Sequence, residues 1–328
     1  MAKIAVLGAG AWGTALAMQL SHRHQVVLWA RNTLHVSALR EARANHQYLG
    51  DFGFQDSLTI EDCLKTAVNQ VDLIISVVPT NGFRAVLQAL NGFDNKTPII
   101  WASKGLEAAS AKLLYEIAAE ELPHISYGVL SGPSFAGELV RNLPTAVTVA
   151  SYETSFGQFA SQLIHGGNLR VYSSQDVIGV CVGGAVKNVL AIAAGIADGL
   201  QLGSNARAAL VTRGLSEMTR FGIALGAQKE TFMGLAGLGD LMLTCTGESR
   251  NREVGLQLAA GKNLTTITEH LGHVAEGVHT AAEVVKRAAV LGVDMPISKQ
   301  VHAVLSGDCM PKSALQALFS REQKTEFS

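Results

Sequence analysis

The stretch KIAVLGAGAWG, residues 3–13, decides the fold. Lys3–Leu7 is a short apolar run of the kind that forms a strand covered on both faces. It passes directly into Gly8, Gly10 and Gly13 at GxGxxG spacing, and Gly13–Leu20 continues with small and apolar residues as a helix. Each glycine has its own physical use. Gly8 permits the tight turn, Gly10 lets the backbone approach a pyrophosphate, and Gly13 allows the helix to pack closely on the strand. The start of that helix supplies unpaired N–H donors, which favour an anion. A glycine pattern alone is a weak signal, but a strand before it and a helix after it make a dinucleotide-binding turn the better reading.

Outward from this turn, short apolar runs alternate with helical segments through the first half of the chain, the pattern of a parallel sheet with crossover helices. Strands are expected at Lys3–Leu7, Val26–Trp29, Leu73–Val78, Ile99–Ala102, Tyr127–Leu130, Ala146–Ala150 and Leu169–Tyr172. Gly13–Leu20, Arg84–Leu90 and Ala111–Glu121 are expected among the crossovers. Beyond them the strand signal stops, and apolar residues recur at helical spacing through Ile178–Gly199, Ala206–Leu225, Val254–Ala260, Val278–Leu291 and Ile297–Leu305. The expected fold class is therefore α/β: an N-terminal Rossmann-like doubly wound sheet, residues 1–177, followed by an all-helical C-terminal domain, residues 178–328. Gly234–Gly239 and Gly272–Gly277 read as loops inside the second domain, and Arg321–Ser328 as a disordered tail.

With 328 residues, 48% of them hydrophobic and 16% charged, the chain can bury two cores. Its formal net charge of -1 gives no general field for a nucleic-acid backbone or an anionic bilayer, so no nucleic-acid partner is expected and any anion must be held locally. The four cysteines, Cys63, Cys181, Cys245 and Cys309, are scattered without a CxxC pair, so neither a disulfide framework nor a metal site is signalled. The N-terminus shows no signal core, and a reducing cytoplasm is the expected compartment. Val177–Leu200 is apolar and long enough to cross a bilayer. Lys187 and Asn188 sit in the middle of that run, where a charge is costly in lipid, so a buried helix and no membrane insertion are expected.

An acidic residue about 20 positions after the glycines usually holds the adenosine ribose hydroxyl. Here the strand Val26–Trp29 ends in Ala30, Arg31 and Asn32. An arginine at this place can pair its fork of donors with a ribose 2′-phosphate, so NADP(H) is preferred while NAD(H) stays open. The alternative is that Arg31 is a solvated surface residue.

Three later segments place a charge among glycines and small apolar residues: WASKGLE around Lys104, GAVKNVLAIAAGIADGLQLGSN around Lys187, and GLAGLGDLMLTCTGESRN around Asp240, Arg250 and Asn251. A lysine on an apolar helix is costly unless it lines a cleft with partners. A hydride arriving at a ketone carbon leaves an alkoxide that needs a proton, and a partly buried lysine is a suitable acid. Asp240 suits orienting such a lysine or accepting from a substrate hydroxyl, while Arg250 and Asn251 offer a planar fork and an amide for a phosphate. The competing reading of the last group is a helix-cap cluster at Ser249.

With these residues in view, the chain resembles the bacterial NAD(P)-dependent glycerol-3-phosphate dehydrogenases over nearly its full length. The most specific piece is Gly184–Asn205, supported by GAGAWGTALA at 8–17, SKGLE at 103–107, SGPSFA at 131–136, GLGDLMLTC at 237–245, SRN at 249–251 and AEGVHTA at 275–281. The resemblance implies hydride transfer between NAD(P)H and a small phosphorylated substrate, interconverting dihydroxyacetone phosphate and sn-glycerol 3-phosphate for glycerophospholipid synthesis. It implies Lys187 as the proton donor and acceptor. Lys104 would contact substrate and cofactor, and Gly132 and Ser134 the substrate. Asp240, Ser249, Arg250 and Asn251 would complete the substrate pocket, with Arg250 also reaching the cofactor. Trp12, Arg31, Ala136, Val274 and Glu276 match cofactor-contact positions beside Gly8, Gly10 and Gly13, with Thr14 next to the glycine loop.

One departure is visible. Family members carry a proline after a tyrosine–leucine pair, whereas this chain reads NHQYLGDFGF from Asn45 to Phe54, a local loop difference that touches no residue assigned above. Two rival readings remain. One is another enzyme with a Rossmann domain before a helical domain, acting on a hydroxyacid, ketoacid or imine; the Ser249, Arg250, Asn251 trio argues against it. The other is a dinucleotide sensor without turnover, which would have no need of Lys104, Lys187 and Asp240 together. The small apolar residues of the helical domain are compatible with a homodimer.

Overall fold

Eight strands build the N-terminal sheet: β1 (Lys3–Leu7), β2 (Gln25–Trp29), β3 (Leu58–Glu61), β4 (Leu73–Ser76), β5 (Ile99–Trp101), β6 (Tyr127–Ser131), β7 (Thr145–Ala150) and β8 (Leu169–Ser174). The structure is a computed structural model and describes residues 1–271, 275–322 and 325. The strand order is β3-β2-β1-β4-β5-β6-β7-β8. Ile4 to Leu7 are wholly buried because helices cover both faces of the central strands, which is why β1 reads as an unbroken apolar run. The order reverses between β1 and β4, the switch point beside which doubly wound sheets bind ligands at the carboxyl ends of their strands. Leu7 lies opposite Trp29 on one side and Ser76 on the other, so the turn after Leu7 stands at that edge.

The sheet departs from the expectation at two places. β3 was not anticipated, since LTIE is four residues with only Leu58 and Ile60 facing the core, too short to stand out as an apolar run. The sheet is also not wholly parallel. β6 and β7 pair antiparallel, while β7 and β8 run parallel to each other. Between β6 and β7 the chain makes only a five-residue helix, which turns it back instead of carrying it across the sheet.

The helices of this half are α1 (Ala11–Ser21), α2 (Thr33–Ala42), α3 (His46–Leu49), α4 (Leu64–Ala67), α5 (Thr80–Gly92), α6 (Leu114–Glu121), α7 (Ala136–Val140) and α8 (Thr154–Ile164). After β8 come α9 (Val177–Gly199), α10 (Gly203–Ala224), α11 (Asp240–Thr246), α12 (Arg250–Ala259), α13 (Leu264–Leu271), α14 (Glu276–Val290), α15 (Pro296–Leu305) and α16 (Pro311–Phe319), with no strand among the described residues. The chain groups into two compact units. One comprises residues 1–104 and 112–181, the other 105–111 and 182–328. The short segment 105–111 is tied into its unit by the Ala109 N–H, which donates to Glu283 at 3.1 Å, and by Lys286, which donates to the Ala109 carbonyl.

The second unit is organised around α9, whose most apolar 18-residue window is 94% buried. Its partner α12 crosses in near backbone contact. A Cβ on Gly195 would lie 1.9 Å from the Arg252 carbonyl oxygen, and one on Gly255 would lie 2.1 Å from that of Ile192. Close approach of this kind also corrects the expectation of a loop at Gly234–Gly239. Leu235–Gly239 is a π-helical turn leading into α11, and a Cβ on Gly237 would meet the Phe232 backbone at 2.3 Å. Gly237 there answers to packing, not to chain reversal. Of the second expected loop, residues 272–274 lie outside the described residues, while Glu276 and Gly277 already belong to α14. In the expected tail, Arg321 donates to Asp294 at 2.6 Å; residues 323–324 and 326–328 lie outside the described residues.

Candidate dinucleotide turn and lysine site

The glycine turn closes between β1 and its two neighbours. The Gly8 N–H donates to the Trp29 carbonyl at 2.9 Å, and the Val77 N–H to that of Leu7 at 2.8 Å. Gly8 has φ +124°, and a Cβ there would sit 2.9 Å from the Val77 carbonyl oxygen; one on Gly13 would sit 2.0 Å from that of Gly8. Both positions exclude any side chain. At Gly10, by contrast, an added Cβ meets nothing within 4 Å, so this residue leaves room for a ligand to approach. Gly10 is also the N-cap of α1 and provides no side-chain cap, so the first-turn amides keep their capacity for an anion. The orphan amides and the open side of Gly10 fit a dinucleotide pyrophosphate.

Arg31 follows β2, is exposed, and forms no ion pair with a described residue. Asn32 caps α2, its side chain accepting from the His35 N–H at 3.1 Å. Glu61, opposite Trp29 at the end of β3, and the adjacent Asp62 face Arg40 at 3.5 and 3.6 Å. Thr14 is wholly buried, and its hydroxyl accepts from Asn45 at 2.7 Å, so its side chain faces the protein.

The same unit brings four further candidates together beyond β5 and β6. Trp12 Nε1 donates to Ser134 Oγ at 3.2 Å, and Ser134 Oγ donates to the Gly132 carbonyl at 3.1 Å. Lys104 Nζ reaches the same carbonyl at 3.5 Å. Ala136 opens α7, just beyond this group.

In the second unit Lys187 lies in the middle of α9 at 7% exposure, and Asp240 at the start of α11 at 1%. Lys187 Nζ donates to Asp240 Oδ1 and, at 2.9 Å, to Thr244 Oγ1. The threonine hydroxyl in turn donates to the Asp240 carbonyl at 2.6 Å. A charge this deeply buried survives only when paired and hydrogen-bonded, and here both conditions hold. Thr244 was not among the expected site residues. Its signal was its place four residues after Asp240, on the same helix face.

Ser249 is the N-cap of α12, but its side chain makes no capping bond, and Arg250 is the exposed first residue of that helix. The position is that of a cap; the hydroxyl is not used as one. Asn251 is directed into the protein: Nδ2 donates to Asn188 Oδ1 at 3.0 Å, and Oδ1 accepts the Gly277 N–H at 2.9 Å. It thereby ties α12 to α9 and α14. Glu276 is the half-buried first residue of α14, and Val274 lies outside the described residues. Among the described residues no group of His, Cys, Asp and Glu is placed to hold a metal. Burial pushes the Cys245 thiol up to about 12 and that of Cys181 upward too, which makes both unreactive.

A doubly wound sheet with an open glycine turn, followed by a helical unit that buries a paired lysine, defines a class: dinucleotide-binding enzymes with a separate helical part. Within that class, the family model described as NAD-dependent glycerol-3-phosphate dehydrogenase N-terminus matches residues 3–157, and the corresponding C-terminus model matches residues 176–316. The chain belongs to this family. A glycerol-3-phosphate dehydrogenase (NAD(P)+) of Methylobacillus flagellatus is 63% identical over 326 residues, covering 99% of each chain. One of the same name from Nitrosospira multiformis is 50% identical over 330 residues, again covering 99% of both. The crystal structure of glycerol-3-phosphate dehydrogenase from Coxiella burnetii superposes with a TM-score of 0.94 at 43% identity, covering 98% of this chain and 99% of that one.

Proposed function

We propose that this chain reduces dihydroxyacetone phosphate to sn-glycerol 3-phosphate, and catalyses the reverse, supplying glycerol 3-phosphate for glycerophospholipid synthesis. NADP(H) is the preferred cofactor and NAD(H) the alternative. The observation that carries this reading is the buried cluster of Lys187, Asp240 and Thr244, in a family whose relatives are named for this reaction. Residues 1–177 serve as the dinucleotide-binding domain and residues 178–328 as the helical substrate-binding and catalytic domain. Bound at the glycine turn, the dinucleotide supplies or accepts the hydride.

The chain's own residues do the rest. Lys187 gives its proton to the developing alkoxide in reduction and takes the hydroxyl proton in oxidation. Asp240 and Thr244 hold the ammonium, so protein acceptors set its direction instead of solvent. Ser249 and Arg250 bind the substrate phosphate at the N-terminus of α12, where a hydroxyl, a guanidinium fork and helix amides all favour an anion. Asn251 fixes the start of that helix on α9 and α14. Lys104, Gly132 and Ser134 contact the substrate. Gly8, Gly10, Gly13, Trp12, Thr14, Arg31, Lys104, Ala136, Arg250, Val274 and Glu276 contact the cofactor, with Thr14 acting through its place in the turn. The protein works in the cytoplasm as a homodimer, without nucleic acid or membrane insertion.

The test is NADPH oxidation with dihydroxyacetone phosphate, repeated with NADH and with unphosphorylated ketones. Turnover confined to the phosphorylated ketone supports the reading. Comparable rates on the unphosphorylated ketones would sink it in favour of another reductase with a Rossmann domain before a helical domain.

A further inference from the structure

The peptide between Ala9 and Gly10 is held from one side only. Its carbonyl oxygen accepts two side-chain donors from different segments, Asn45 Nδ2 at 3.1 Å and His35 Nε2 at 3.2 Å. Its N–H, on Gly10, has no acceptor among the described residues. Because a trans peptide points its carbonyl and its N–H in opposite directions, fixing the oxygen fixes the direction in which the Gly10 N–H is offered. The second hydrogen of Asn45 Nδ2 goes to Thr14 Oγ1 at 2.7 Å, so one amide joins the turn to the body of α1.

The geometry leaves little freedom in how these side chains are used. Asn45 is 1% exposed, and turning its amide over would set an oxygen against the Ala9 carbonyl, so the nitrogen must face it. His35 must carry a hydrogen on Nε2 for the same reason, in either its neutral or its charged form. The His35 ring stands edge-on to Tyr48, with centroids 5.6 Å apart and planes at 83°. Tyr48 lies on α3, directly after Asn45. The stretch Asn45–Tyr48 thus supplies one of the two donors to this peptide and the ring against which the other donor packs.

We propose that Asn45 and His35 are positioning residues that hold the Ala9–Gly10 peptide so that its N–H is presented to the dinucleotide pyrophosphate; this rests on the dinucleotide-binding part of the functional reading. Neither needs to touch the cofactor. The Ala9–Gly10 peptide is common to NADPH and NADH binding, so the two cofactors lose affinity together, unlike the selective loss expected at Arg31.

The experiment is calorimetric titration of NADPH and NADH into the full-length protein carrying His35→Phe, His35→Gln or Asn45→Leu, with folding checked by circular dichroism. His35→Phe keeps the ring against Tyr48 but removes the donor and is expected to raise both dissociation constants by about 3- to 10-fold. His35→Gln restores an N–H donor and is expected to recover most of that loss. Asn45→Leu is expected to weaken both cofactors by roughly tenfold, with the KM for cofactor rising far more than turnover at saturation falls. Unchanged affinities in folded His35→Phe would overturn the inference, as would a loss confined to NADPH or one that His35→Gln does not recover. If Asn45→Leu fails to fold, the two His35 variants decide alone. Binding is read without turnover, so a parent that binds NADPH yet reduces no dihydroxyacetone phosphate would refute the proposed reaction while the same titrations still judge the clamp.

Discussion

Lys187 and Asp240 were legible in the sequence because a charge among glycines and small apolar residues is costly unless something answers it. The structure supplies that answer in the Asp240 carboxylate and the Thr244 hydroxyl. Asn45 was not legible, since an asparagine before a short turn is an ordinary residue until its distant partners are known, and Thr244 carried only the weak signal of its place four residues after Asp240. Replacing Lys187 with methionine keeps the length of the side chain and removes the proton, so turnover is expected to fall by roughly 10²–10⁴-fold while NADPH binding survives. Near-parental turnover in a folded variant would remove Lys187 from the mechanism. Arg31 answers a different question. It is exposed and unpaired with any described acid, so Arg31→Ala is expected to cost NADPH about 1.5–3 kcal/mol of binding and NADH little. Equal Michaelis constants for NADPH before and after the change would show that the 2′-phosphate is read elsewhere.

At the scale of elements, periodicity found what it is suited to find. The central strands and α9 are long or uniformly apolar, so their burial is written in the sequence. β3 escaped because half of a four-residue strand faces outward, and the antiparallel entry of β7 escaped because apolar pattern carries no direction. The glycines of the helical unit misled for a physical reason: the same residue marks a turn and a close backbone approach. The contact of α9 with α12 gives this a measurable form. In Gly255→Ala the new methyl would lie 2.1 Å from the Ile192 carbonyl oxygen, a backbone atom that cannot swing aside. The helices must separate, which is expected to cost about 1–3 kcal/mol. Since α12 begins with Arg250, the KM for dihydroxyacetone phosphate is expected to rise as the melting temperature falls. An unaltered melting temperature would mean that the crossing has slack the structure does not show.

For the molecule as a whole, a net charge of -1 leaves little general electrostatic strain near neutral pH, so a steep pH dependence of stability must come from particular buried groups. Glu217 on α10 is such a group, at 1% exposure. It accepts the Ile297 N–H, the Ser298 N–H at 3.2 Å and the Ser298 hydroxyl at 3.0 Å, all at the start of α15. Burial nevertheless dominates these three donors and raises its carboxyl from 4.5 to about 7. The folded protein therefore holds this proton over a range where the unfolded chain has released it. Its contribution is fully present below about pH 4.5 and is lost as the pH rises through about 7, a total of about 3 kcal/mol. Glu217→Gln keeps the shape and an acceptor oxygen but cannot titrate. Measured by denaturant unfolding, the stability of the parent relative to this variant is expected to decline across that window and to level off above it. Parallel curves for parent and variant would show that Glu217 is already ionised in the folded protein at acid pH, with the α15 amides outweighing its burial.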